Sequence, residues 1–131
     1  MKTTELSNYI EQITGAPVLL RELPLLESNK APLYLRSAYG LLEARLFAQR
    51  VVFAVQKLSS EQTTPSQYAK HQALLRDSIC TPVALVLEQV ASFVRNRLIQ
   101  HGVAFVVPGR QMFLPFLAVD LRERGPRPAP A

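Results

Sequence analysis

The sequence predicts an α/β domain built on a single mixed β-sheet with flanking helices, in the order α-β-β-β-α-β-α-β-β. Three observations carry that expectation. Val83-Ala84-Leu85-Val86-Leu87 is a continuous apolar run of strand length, the pattern of a strand buried on both faces. A helical segment follows, from about Ala91 to Gln100, and Val90, Val94 and Leu98 recur every fourth residue on one stripe. Val103 to Val107 is a second apolar run, Pro108-Gly109 a turn, and Met112 to Leu117 a third strand. A strand-helix-strand unit makes the first two strands parallel, with a right-handed crossover. The short turn makes the last two an antiparallel hairpin.

The remaining elements follow in chain order. Leu6, Tyr9, Ile10 and Ile13 lie at helical spacing within Thr4 to Thr14, and Gly15 with Pro17 ends that helix. Val18-Leu19-Leu20 is too short to assign, and Pro24 and Pro32 bracket a polar loop, Glu27-Ser28-Asn29-Lys30. From Leu33 to Lys57 the alternation of Leu33 and Leu35 with Tyr34 and Arg36 predicts strands near 33–39, 41–47 and 50–56. Val51 to Val55 is the most β-prone part. A helix across 37–49 is the competing reading. Leu58 to Thr63 is polar and reads as a loop. Thr64, Pro65 and Gln67 then form a capping box with a proline at the first helical position. That helix runs to about Ile79, with Tyr68, Leu75 and Ile79 inward and His71 on the same side. The domain spans residues 1–121. Residues 122–131 are a charged, proline-rich tail or linker. Such a tail normally joins two domains, so a second domain outside this chain is expected.

Composition bounds the function. The chain has 131 residues, 48% of them hydrophobic, which suits one globular domain with a real core. No apolar run approaches the ~20 residues of a membrane helix, and the polar N-terminus lacks a signal-peptide core. A cytoplasmic location is expected. The single cysteine, Cys80, excludes an internal disulfide and a cysteine-based zinc cluster, and reads as a packed thiol rather than a nucleophile.

Catalytic chemistry finds little in the sequence. His71 and His101 are the only histidines, on different predicted helices, and read as surface or core-edge residues. No Gly-rich phosphate loop or nucleophile elbow is present. The order helix, three strands, helix, strand is that of the restriction-endonuclease-like core. Such enzymes need a carboxylate on the second strand and an acidic-x-Lys pair on the third, to hold Mg²⁺ and activate water. Glu43 fits the first requirement. Lys57 closes the third strand, but Val55 stands where its carboxylate should be. No catalytic residue, metal or cofactor is therefore expected.

Two surfaces remain as candidates. The net charge of +5, from fifteen basic and ten acidic residues, falls largely on Arg95, Arg97, Arg110, Arg122 and Arg124, candidate nucleic-acid contacts. No stacking aromatics accompany them, and a solvated basic face is the plainer reading. Met112, Phe113, Leu114 and Phe116 supply more apolar surface than one face of a short strand can bury, and predict a homodimer through the C-terminal hairpin.

Arg95-Asn96-Arg97-Leu98-Ile99, then Val103-Ala104-Phe105-Val106-Val107-Pro108-Gly109-Arg110-Gln111-Met112-Phe113-Leu114-Pro115, then Leu121-Arg122-Glu123 resemble a stretch of bacterial MarR-like winged-helix regulators. The likeness is specific over 97–122 and looser back to about residue 30. It implies a non-catalytic regulatory or dimerisation domain that precedes a DNA-contacting winged helix, which this chain does not include. A nuclease-related or nucleic-acid-binding domain with a degenerate active site is the alternative.

Overall fold

The computed structural model describes residues 3–57, 63–117 and 119–122. Its centre is a seven-stranded sheet in sequence order: β1 (Arg21–Glu22), β2 (Tyr39–Leu46), β3 (Gln49–Gln56), β4 (Val83–Val86), β5 (Phe105–Val107), β6 (Gln111–Leu114) and β7 (Val119–Arg122). β1, β2 and β3 are antiparallel neighbours, β3, β4 and β5 are parallel, and β5, β6 and β7 are antiparallel. The helices are α1 (Thr3–Thr14), α2 (Leu25–Ser28), α3 (Leu33–Ala38), α4 (Pro65–Ile79) and α5 (Ser92–Gln100), with a 3-10 turn at Pro115–Leu117.

Alternation along the strands separates two cores. Val52 and Ala54 face one side with Val83, Leu85, Phe105 and Val107, under Tyr68, Leu75 and Ile79 of α4 and Leu98 of α5. Val51 and Phe53 face the other, with Ala84, Val86, Val106, Met112 and Leu114, under Leu6, Tyr9 and Ile10 of α1. All of β4 is buried, which is why its sequence has no polar alternation. The chain steps from β3 to β4 to β5 in one direction, and both crossover helices lie on the same face, as crossovers of one hand require.

The predicted order of helix, strands, helix, strand, helix, hairpin is the observed order, with several changes of detail. The strand expected near 33–39 is the helix α3. Leu35 is buried while Leu33 and Tyr34 are exposed, so the apparent alternation over four residues was one helical contact. α2 and α3 both start on a proline N-cap, Pro24 and Pro32, and α2 includes part of the segment read as a loop. The competing helix across 37–49 does not form, because β2 spans Tyr39–Leu46. α4 starts as predicted: Gln67 N–H donates to Thr64 Oγ1 at 3.2 Å, and Thr64 N–H donates to Gln67 Oε1 at 2.8 Å. Cys80 is not a packed thiol. It is exposed, in the left-handed conformation (φ 58°) that ends α4. The strand expected at Met112–Leu117 stops at Leu114, where Pro115 opens the 3-10 turn. β7 adds a strand that the charged composition of 118–124 did not announce. Residues 58–62 and 123–131, which hold most of the predicted loop and tail, lie outside the described residues.

The β2–β3 hairpin closes through two residues, Phe47 (φ 50°) and Ala48 (φ 65°). Positive φ at both positions matches the right-handed twist of the strands, and such turns favour Asn-Gly. L-residues with a Cβ are strained there. Replacing Phe47-Ala48 by Asn-Gly is expected to stabilise the domain by about 1 kcal/mol. Thermal or urea denaturation measures this; a destabilised double variant shows that the exposed Phe47 ring contributes more than the turn strain costs.

Candidate functional site

In an open sheet, the carboxyl ends of parallel strands are where loops and helix starts converge. Here those are the ends of β3, β4 and β5. A cleft of about 590 Å³ opens there, lined by Thr63 and Tyr68 around the start of α4, by Gln89 to Arg95 along the β4–α5 loop and the first turn of α5, and by Arg110 in the β5–β6 turn. Gly109 (φ 80°) makes the tight turn that sets Arg110 at the rim. Arg95 and Arg110, separated by a strand in sequence, thus share one cavity. Arg97 points elsewhere, exposed on α5. Arg122 is the last residue of β7, and Arg124 lies outside the described residues. Among the described residues, no acidic side chain lines the cleft. Arg95 Nε is buried without a hydrogen-bond partner, while its Nη2 lies 3.5 Å from Ser92 Oγ. Phe93 is 69% exposed at the edge. Phe93, Ser92 and Gln89 were not singled out from the sequence, since nothing in their spacing marks them.

Beside the cleft, Tyr39 Oη and His71 Nδ1 are 2.9 Å apart, and Tyr34 meets the same imidazole edge-on at 6.2 Å. Burial raises the Tyr39 hydroxyl well above the ordinary tyrosine range, with a smaller push from Tyr68. Burial lowers His71, helped by the Lys70 charge. Both shifts keep the pair neutral, and the imidazole tautomer sets which of the two atoms donates in their hydrogen bond. His71 is the core-edge histidine expected, and His101 is an exposed residue closing α5.

Glu43 and Lys57 do not meet. Glu43 lies opposite Val52 in the β2–β3 register, five residues before Lys57, or about 16 Å along the strand. Its carboxylate is held by Arg50 (Nε to Oε2, 3.1 Å, with a second contact from Nη2) and by Arg21 Nη2 at 3.1 Å. Arg50 also grips Glu27 of α2 through two hydrogen bonds of 2.7 and 2.8 Å. This guanidinium is the clasp that fixes α2 to the sheet. Its hydrogen bonds to Glu27 and Glu43 raise its own pKa and hold the Glu27 carboxyl below the usual carboxylate range. Lys57 instead lines a cavity of about 330 Å³ against α1, with Gly40, Leu42 and Val55 around it. Among the described residues, no group of three or more His, Cys, Asp or Glu side chains is placed to hold a metal ion.

The apolar hairpin is mostly interior. β6 pairs with β5 on one side and β7 on the other, so it is not an edge strand. Met112 and Leu114 are fully buried in the core under α1. Phe113 packs on the opposite core, its ring 6.0 Å from that of Phe105, and Phe116 is half-buried. The excess of apolar residues that suggested a partner is explained by two cores and a covering strand. Of these four residues, Phe113 and Phe116 keep partial exposure. More exposed apolar side chains stand on the short helices, Leu25, Leu26, Leu33 and Tyr34, and at Leu19, Phe47 and Phe93.

The chain matches no protein-family model, no curated protein and no solved structure. Among the described residues, no helix is long and apolar enough to cross a membrane.

Two outcomes follow from these side chains. The unfolded chain binds a proton at His71 at higher pH than the folded one does. Stability is therefore intact above roughly pH 6.5 and falls as pH drops below it, until the lower folded pKa is passed. In His71→Gln, chemical denaturation series between about pH 7 and 5 should show a smaller slope; an unchanged slope assigns the effect to other groups. Arg50→Ala leaves Glu27 without this cation and Glu43 with Arg21 alone, and calorimetry should show a melting temperature lower by several degrees. An unchanged melting temperature means that the clasp is only a surface ion pair.

Proposed function

We propose that this chain is a non-catalytic regulatory domain of a bacterial transcriptional regulator, one that acts through self-association or ligand sensing and leaves DNA reading to a winged-helix module beyond these residues. The resemblance over residues 97–122 supports the reading on the sequence side. The observation that carries it is the surroundings of Lys57. A nuclease of this element order needs carboxylates beside that lysine, and Gly40, Leu42 and Val55 occupy the space. Glu43, the only acidic residue of β2, is consumed by two arginines on the way along the strand. The element order is similar to that of restriction-endonuclease-like cores, and among the described residues no group of three or more His, Cys, Asp or Glu side chains is placed to hold a metal ion. What remains is a scaffold for binding and for contact with partners.

A nucleic-acid-binding reading rests on Arg95 and Arg110 sharing a cleft. The described residues bring no base-reading helix to that cleft, so affinity for duplex DNA is expected to be weak, indifferent to sequence and steeply reduced by salt. Homodimerisation belongs to the regulatory reading, through the partly exposed ring of Phe113 on one face of the sheet or of Phe116 on the other. Light scattering over a concentration series tests it, and a monomer throughout removes the dimer.

Incubation of the purified protein with supercoiled plasmid and Mg²⁺ or Mn²⁺ is expected to leave the DNA intact. Cleavage that disappears in Glu43→Gln or Lys57→Ala would overturn the non-catalytic reading. A tight, competitor-resistant footprint on one sequence at physiological salt would move DNA reading into this domain.

A further inference from the structure

We propose that the cleft at the carboxyl ends of β3, β4 and β5 binds a nucleoside monophosphate, with the phosphate between Arg95 and Arg110 and the base against Phe93. The inference goes beyond the regulatory reading and does not need it to hold.

Charge is the first argument. Among the described residues, two guanidiniums and no carboxylate line the cleft. An arginine presents its N–H donors in a fixed planar fork suited to phosphate oxygens. Arg95 is incompletely satisfied by the protein: Nε is buried without a partner, and Nη2 has only a long contact to Ser92. A buried donor with nothing to bond is unfavourable, and an anion in the cleft removes the deficit.

Backbone geometry adds to it. Both crossover helices begin at this edge of the sheet. The start of α4 is closed by the Thr64–Gln67 capping box, whereas Ala91 gives α5 no side-chain cap. The first-turn N–H groups of α5, at Ser92 and Phe93, border the same cavity as the unsatisfied guanidinium.

Size and apolar surface select the rest of the ligand. About 590 Å³ lies within the range of small-molecule sites and far exceeds what inorganic phosphate fills. Phe93 holds an aromatic ring at the rim, mostly in solvent, where a flat base can stack on it. Thr63 and Gln89 supply a hydroxyl and an amide in the same lining, able to bond base edges or ribose hydroxyls.

Isothermal titration calorimetry of the whole chain tests this against nucleoside monophosphates of each common base, the matching nucleosides, inorganic phosphate, and a short single-stranded oligonucleotide. At least one nucleoside monophosphate should bind with a millimolar or lower Kd, more tightly than its nucleoside and than phosphate. Arg95→Gln and Arg110→Gln should each weaken it about tenfold, the loss of one charge-assisted contact. Phe93→Ala should weaken the nucleotide while leaving phosphate unchanged. Circular dichroism and melting show that each variant folds. If Arg95→Gln does not fold, the other two variants decide. Absence of nucleotide binding at millimolar concentration overturns the proposal, as does binding indifferent to the folded variants. Phosphate binding as well as any nucleotide, or the oligonucleotide binding while no mononucleotide does, also overturns it. None of these results depends on the plasmid assay, so the cleft and the non-catalytic reading fail separately.

Discussion

Everything in this domain depends on burying β3, β4 and β5 from both sides. The middle strand has no residue in contact with water. Its Val83 and Leu85 need α4 and α5 above them, and Ala84 and Val86 need α1 below. A single helical layer would leave one set of apolar side chains exposed, at roughly 25 cal/mol for each Å². The three-layer arrangement is therefore imposed by a run of five apolar residues, and the outer strands are attached to a sheet already fixed in register. The positions of the cleft, the Arg50 clasp and the closed turn at Phe47-Ala48 all derive from that register.

Most of this was legible where local chemistry and tertiary packing agree. Thr64-Pro65-Ser66-Gln67 announces a helix start by its own hydrogen bonds, and Val83 to Leu87 announces a two-sided strand by lacking polar residues. Legibility failed where one local signal had two physical meanings. Leu33-Tyr34-Leu35 alternates like a strand, yet Pro32 before it is an equally good helix start, and only one of the leucines reaches the core. It also failed where the sequence departs from the residue that the backbone prefers. Cys80 occupies a left-handed position usually given to glycine, so the end of α4 was visible only through Pro82. Phe47-Ala48 holds a turn that Asn-Gly would have advertised.

The candidate site was legible only in part, for a topological reason. Arg95 and Arg110 stood out by charge, but their shared cavity arises because a strand-end loop and a hairpin turn finish at the same edge of the sheet. Phe93 and Ser92 carry no signal until the start of α5 is set there. Conversely, Glu43 and Lys57 looked like a pair in sequence order, and the antiparallel register sets Glu43 of β2 opposite Val52, well short of Lys57 beyond the end of β3. The apolar hairpin looked like excess surface because β7, whose sequence is charged, was not recognised as its cover.

The register of the last two strands has one more effect. Gln111, which follows Arg110, is paired with Arg122 at the end of β7. The last described strand thus ends next to the turn that carries a cleft arginine. The last described residue of β7 is a single rung from the turn that forms part of the cleft wall.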